Sequence, residues 1–176
     1  MPAFRTALRL GRWPTVVLTL VALASCDLRN DPTEGLHHRS GDRPKEVAHN
    51  PGCAMTGNCP TPGFTWSIPA AGAVETRFDL DGPDGAALHG TMLLTARTGF
   101  GGFRACPAVV DWVIAVPGRT ITGGTLSAPA TLSAGDPTQA VEGSMPPDAT
   151  VATLTARRTD DESCSATLHW DHASLK

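Results

Sequence analysis

The sequence has too little positive charge to attract a polyanion. Lys45 and Lys176 are its only lysines, and 14 basic residues face 17 acidic ones, for a formal net charge of −3. Residues 1–25 hold three arginines and no acid, so the rest of the chain keeps 11 basic against 17 acidic residues, a charge of −6. Such a surface is not expected to bind nucleic acid or to attach electrostatically to anionic lipid.

The sequence also lacks an apolar run long enough to cross a membrane as a helix. Residues 13–24 (WPTVVLTLVALA) form an apolar segment of about 12 residues, whereas a hydrocarbon core requires roughly 20. This segment follows the basic residues 1–12, and it has the length of the apolar region in a secretory signal. Because no twin-arginine pair precedes it, the general secretory route is favoured.

The apolar segment ends in Leu23-Ala24-Ser25-Cys26, an aliphatic residue and two small residues before a cysteine. This pattern resembles the lipobox of bacterial lipoproteins, and the resemblance covers residues 1–26. It implies a signal peptide over residues 1–25 and a diacylglycerol (palmitate-type) anchor on Cys26. The mature chain would then be anchored to a cell membrane or envelope by lipid, with its domain on the non-cytoplasmic side. The alternatives are an ordinary secretory signal with a chance cysteine, or a buried helix.

Residues 26–63 are rich in proline, glycine and polar residues and poor in large apolar ones. Such a stretch buries too little surface to offset the entropy lost on ordering, so it is predicted to be a flexible tether. A flexible chain of about 37 residues has an r.m.s. span of roughly 30–37 Å. His37, His38 and His49 lie in this range and are interpreted as solvated linker residues, with a metal-binding tract as the alternative.

Four cysteines remain besides Cys26: Cys53, Cys59, Cys106 and Cys164. An even number in an exported chain predicts disulfides. Of the three pairings, Cys53–Cys59 and Cys106–Cys164 are preferred, because the first pair is six residues apart and the second pair opens two predicted strands. The alternative is a soft-metal site, since residues 49–59 hold imidazole, thiolate and thioether donors that suit Cu(I).

From residue 64 the sequence alternates apolar and polar residues, with Gly, Pro and Asp turns between the alternating segments. No window of a dozen residues has helical periodicity. The predicted strands are 76–81, 87–98, 109–116, 120–122, 125–128, 139–144, 151–158 and 163–171. Residues 64–176 are therefore predicted to form an all-β domain, an antiparallel sandwich or small barrel of about six to eight short strands. Trp112 and Trp170 are expected in its core.

No motif points to catalysis or to a cofactor. Residues 79–90 fail as a calcium loop because Pro83 and Gly90 occupy ligand positions, so residues 81–85 are predicted to form a hairpin turn. His169 and Asp171 share one face of a strand and are interpreted as polar surface, with His172 pointing away. Residues 160–162 are interpreted as a solvated turn. The chain has neither a Gly-x-Ser-x-Gly elbow nor a phosphate loop.

These observations predict a non-enzymatic, membrane-anchored module, without a cofactor, that binds an envelope protein or a glycan or has a structural role. Two alternatives stay open. One is a copper- or zinc-handling lipoprotein that uses residues 53–59 or the histidines. The other is an enzyme whose site is assembled from residues distant in the sequence.

Overall fold

Alternation of apolar and polar residues accounts for the strands of this protein. A computed structural model describes residues 34–47, 61–98, 104–131 and 135–176. Within these ranges the chain forms eleven strands and contains no helix that could span a membrane. The strands are β1 Leu36–Gly41, β2 Lys45–Val47, β3 Gly63–Ile68, β4 Ala73–Leu80, β5 Ala87–Thr98, β6 Arg104–Ala105, β7 Ala108–Val116, β8 Arg119–Ala128, β9 Thr138–Ser144, β10 Val151–Arg158 and β11 Ala166–Leu175.

The strands form two antiparallel sheets that pack face to face. The first sheet has the order β1-β4-β10-β7-β8, and the second has the order β2-β3-β11-β5-β6, with β9 also paired to β5. The predicted all-β sandwich is confirmed, and the described strands do not close into a barrel. They outnumber the predicted six to eight partly because three of them lie before residue 69, where no strand was predicted.

The core lies between the sheets and contains alternate residues of β4, β5, β7 and β10. Trp112 and Trp170 are buried as predicted, and Trp66 is also only 3% exposed. Phe64 and Phe78 face each other across the sandwich with ring centroids 4.8 Å apart. Burying side chains of this size contributes about 1.5–3 kcal/mol each, which makes this aromatic cluster the main link between the sheets.

The segment 34–47 is part of the sandwich, so the tether predicted for residues 26–63 is wrong over these positions. β1 pairs with β4 in the first sheet and β2 pairs with β3 in the second, so the segment crosses from one sheet to the other. Leu36 is 1% exposed. The Thr76 hydroxyl donates to the Asp42 carbonyl at 2.6 Å. Local composition suggested a tether because it does not show the long-range contacts of this segment. One buried apolar residue, Leu36, and hydrogen-bond partners some 30 residues away are enough to order it.

The predicted turn at residues 81–85 is present but does not form a hairpin. The Ala86 amide donates to the Pro83 carbonyl at 3.0 Å, which closes a turn. However, β4 belongs to the first sheet and β5 to the second. The turn therefore connects one sheet to the other. Its residue types predict a turn but do not specify in which sheet the next strand pairs.

The predicted Cys106–Cys164 disulfide is present and joins residues 58 apart in the sequence. It links the segment before β7 to the segment before β11. Cys26, Cys53, Cys59 and His49 lie outside the described residues, so the lipid anchor, the second disulfide and the copper alternative remain predictions.

A buried ion pair lies beside this disulfide. The Arg158 side chain is fully buried, and its guanidinium binds both carboxylate oxygens of Asp160. It also donates to the Cys164 carbonyl at 2.7 Å. The Asp160 carboxylate accepts from the amides of Val109 and Glu162 at 2.6 and 3.0 Å. The predicted solvated turn at residues 160–162 thus contains a carboxylate that is largely buried and fully hydrogen-bonded.

Candidate functional site

The outer face of the second sheet carries a row of side chains brought together by strand register. Lys45 pairs with Thr65, Thr65 with His169, and His169 with Leu93. Directly paired residues project to the same side of a sheet. These four side chains therefore lie next to each other across β2, β3, β11 and β5, although they are up to 124 positions apart in the sequence.

A second row lies beside the first. Val47 pairs with Gly63, Gly63 with Asp171, and Asp171 with Thr91. Gly63 has a φ of 151°, and a Cβ there would collide with the Trp170 carbonyl oxygen. Only glycine fits this position, and its missing side chain keeps the middle of the row open.

Between the two rows lies an open cleft of about 450 Å³. It is lined by Lys45, Val47, Thr61, Gly63, Phe64, Thr65, Leu93, Thr95, His169 and Asp171. Three of the lining residues carry a hydroxyl group, and three carry an ionisable group. The cleft therefore offers hydrogen-bond donors and acceptors beside a comparable area of apolar surface, to which Val47, Phe64 and Leu93 contribute.

His169 is the half-buried centre of the cleft. Its Nδ1 lies 3.2 Å from the Thr65 hydroxyl oxygen. Burial lowers the pKa of His169 below its usual value, although the nearby carboxylates of Asp171 and Asp136 act in the opposite direction. The ring is accordingly neutral at neutral pH, and a neutral imidazole has one donor and one acceptor nitrogen. With Nδ1 directed at Thr65, Nε2 is the atom available to a ligand.

Asp171 lies two residues further along the same strand. Burial raises the pKa of its carboxyl group, and the charges of His169 and His172 partly counter this shift. No described residue donates a hydrogen bond to this carboxylate. His172 was predicted to point away from it, but β11 has a bulge here and His172 has a φ of 53°. The bulge breaks the alternation, and His172 lies near enough for its charge to lower the pKa of Asp171.

A charged pair lies at one side of the cleft. Arg97 donates to both oxygens of Asp136, at 2.7 and 2.9 Å. The Thr95 hydroxyl lies 3.4 Å from the same carboxylate. Both charged side chains are about one quarter exposed. The charges of Arg97 and Asp136 neutralise each other. The pair therefore holds Thr95 in position without adding net charge to the cleft.

The sequence placed His169 and Asp171 on one outer face, and the structure confirms this. The sequence did not predict that His169 and Asp171 are half-buried. The residues that line the cleft with them include Lys45, Thr61 and Thr65, which lie in or beside the range interpreted as a tether. Within the described ranges no group of three or more His, Cys, Asp or Glu side chains could hold a metal ion. His37 and His38 lie on β1, away from the cleft, so they are strand residues and not linker residues, with His37 exposed and His38 half-buried.

No family model matches the chain, and no curated protein matches it. Solved structures of similar shape include TmCBM61 in complex with β-1,4-galactotriose, with 11% identity, a TM-score of 0.41, and 80% of this chain and 89% of that one covered. A family 16 carbohydrate-binding module has 12% identity and a TM-score of 0.35, and the match covers 74% and 85% of the two chains.

A third similar structure is the enzymatically active domain of a bacteriophage CBA120 tailspike protein. It has 14% identity and a TM-score of 0.39, and the match covers 80% of this chain but 19% of that one. Two of these three structures are carbohydrate-binding modules and one is an enzymatic domain. At such scores they do not decide a function, so the proposal below rests on the residues of the cleft.

Proposed function

We propose that this protein is an exported, lipid-anchored, non-enzymatic module that binds a glycan in the cleft of its second sheet. The observation that carries the proposal is the lining of the cleft. Hydroxyl groups, a neutral imidazole and a carboxylate of raised pKa lie together on a sheet face. Hydroxyl-rich ligands are both donors and acceptors, and they need such mixed partners rather than a single charge.

The rest of the described surface favours a glycan over an apolar protein partner. Interfaces between proteins have an apolar centre enriched in aromatic residues. Val113 is the one large hydrophobic residue exposed in the described ranges, and it lies in the first sheet. The cleft face has no apolar centre of that kind.

The described tryptophan and phenylalanine side chains are buried in the core. Among the described residues, the cleft therefore offers hydrogen bonds to a sugar and no exposed aromatic ring for stacking. Hydrogen-bonded recognition is enthalpy-driven, and it discriminates between sugars by the positions of their hydroxyl groups.

A glycan array probed with the purified protein tests this proposal, and calorimetry on the best saccharide then locates the site. His169→Gln and Asp171→Asn should each weaken binding roughly ten-fold, the cost of losing a hydrogen bond worth about 1.4 kcal/mol. The matched control is Asp111→Asn, because Asp111 is exposed on β7 of the other sheet and its loss should leave binding unchanged. If no saccharide binds, or if both cleft variants bind as tightly as the wild type, the proposal is wrong.

The anchor has a separate test. Each buried CH₂ contributes about 0.8 kcal/mol, so two or more acyl chains on Cys26 would hold the protein firmly in a bilayer. Cys26→Ser should move the protein from the membrane fraction to the soluble exported fraction. A variant that stays in the membrane fraction would show that the lipobox interpretation is mistaken.

A further inference from the structure

Residues that belong to the sandwich lie much closer to Cys26 in the sequence than the composition suggested. The Leu175 amide donates to the Glu34 carbonyl at 2.8 Å, and the Asp81 amide donates to the Gly35 carbonyl at 2.9 Å. Lys176 forms an ion pair with Glu34 at 2.9 Å. Glu34 is therefore fixed to the end of the sandwich where β11 finishes and β4 leaves the first sheet.

Only eight residue steps separate Cys26 from Glu34. A chain of eight residues spans at most about 29 Å whatever its conformation, because an extended residue covers at most about 3.6 Å. This upper limit is set by covalent geometry and replaces the span expected from a tether of about 37 residues.

The height of the cleft above this end follows from β11. His169 lies six residues before Leu175 on the strand, and a strand rises about 3.3 Å per residue. The cleft is therefore no more than about 20 Å from the end that holds Glu34.

Together these lengths place the cleft relative to the bilayer. We infer that the short linker to Glu34 holds the cleft within about 50 Å of the lipid head groups. This inference rests on the proposed function for its anchor at Cys26. Its consequence is that the ligand is a saccharide of the layer next to this membrane, since the cleft does not extend further outward.

The native lipidated protein in vesicles that contain dansyl-labelled lipid tests this geometry. Trp170 is adjacent to His169 and buried with the other described tryptophans, so energy transfer from tryptophan to the labelled lipid measures the height of the cleft. We expect clear transfer for the native protein. A proline-rich spacer of about twenty residues inserted after Asp31 adds up to about 60 Å, and it should reduce transfer to the level of the unanchored Cys26→Ser protein.

The matched control replaces residues 28–32 with five Gly and Ser residues, which leaves the length unchanged and should leave transfer unchanged. A native protein whose domain centre lies more than about 50 Å from the head groups by neutron reflectometry on a supported bilayer would overturn the inference. Equal, strong transfer in the native and spacer proteins would also overturn it, because the domain would then lie on lipid by its own surface. Saccharide binding to the native and spacer proteins in solution should be identical, so loss of binding in both would count against the proposed function and not against this geometry.

Discussion

Two polar clusters of this domain contain an aspartate and a basic side chain, but they differ in how fully the polar groups are satisfied. At the disulfide end, the Asp160 carboxylate receives hydrogen bonds from Arg158 and two backbone amides. These bonds hold the pKa of Asp160 well below its usual range. In the cleft, burial raises the pKa of Asp171, and no described residue donates a hydrogen bond to it.

The difference separates a structural role for Asp160 from the binding role that we propose for the cleft. A buried charge is stable when it is paired and hydrogen-bonded, and Asp160 meets that condition within the fold. Asp171 and His169 are partly desolvated without equivalent partners, and groups with pKa values shifted in this way are candidates for a functional site. The partial desolvation of these two side chains costs free energy, which the fold tolerates. A ligand that supplies the missing hydrogen-bond partners would recover this free energy.

The largest effect is expected from the disulfide beside Arg158. Replacing both Cys106 and Cys164 with alanine removes a cross-link between residues 58 apart, which the chain-entropy model values at about 4 kcal/mol. Chemical denaturation should show this loss of unfolding free energy. Saccharide binding by the remaining folded protein should be unchanged, and a binding defect equal to that of the cleft variants would mean that the two regions are coupled.

Asp160→Asn should destabilise the domain nearly as much. The variant leaves the fully buried Arg158 guanidinium without its carboxylate partner, and breaking a buried pair costs roughly 3 kcal/mol or more. The wild type should lose this contribution as the pH falls below 3.8, because the carboxyl group binds a proton more readily in the unfolded chain. Urea titrations across this range should show a pH dependence that is absent in the variant.

His169 should give a smaller dependence on pH in a different range. Its pKa is lowered in the folded protein, so between that value and 6.5 the unfolded chain binds the extra proton. Stability should therefore fall as the pH decreases below 6.5. Melting temperatures of wild type and His169→Gln measured side by side should run parallel above pH 6.5, and the wild type should fall relative to the variant below it. Curves that stay parallel below pH 6.5 would show that His169 is as solvated as a free histidine.

The smallest effect is expected from Asp171→Asn. Because folding raises the pKa of this carboxyl group, its charge opposes folding at neutral pH, and its removal should leave stability unchanged or slightly higher. The change in the free energy of unfolding, measured by chemical denaturation, should stay within about 0.5 kcal/mol, as for most surface substitutions. Asp160→Asn is the matched opposite case, and a similar loss of stability in both variants would remove the distinction between the clusters.

Most of the sandwich could be predicted from the sequence because strand alternation is a local property. The predicted strands 87–98 and 151–158 match β5 and β10 residue for residue. Leu88, Met92 and Leu94, which share one face of the first of these strands, are fully buried. The preferred Cys106–Cys164 pairing followed from the position of each cysteine at the start of a strand.

The first strands were missed for the opposite reason. Residues 34–47 have a loop-like composition, and their order comes from Thr76 and Glu75, which supply hydrogen bonds from a distant strand. The second row of the cleft could not be predicted either. Gly63 and Asp171 become neighbours only through the pairing of β3 with β11, and a single sequence carries no signal for that register.

The sequence by itself determined which residues alternate and which faces are apolar, and it predicts the Cys106–Cys164 disulfide and the anchor at Cys26. Those properties depend on neighbours along the chain or on simple chemistry. The tertiary structure decided that Lys45, Thr65, His169 and Asp171 share one cleft and that Glu34 is fixed to the end of the sandwich. Both outcomes depend on contacts between residues far apart in the chain, and the free energy of those contacts exists only once the two sheets have packed.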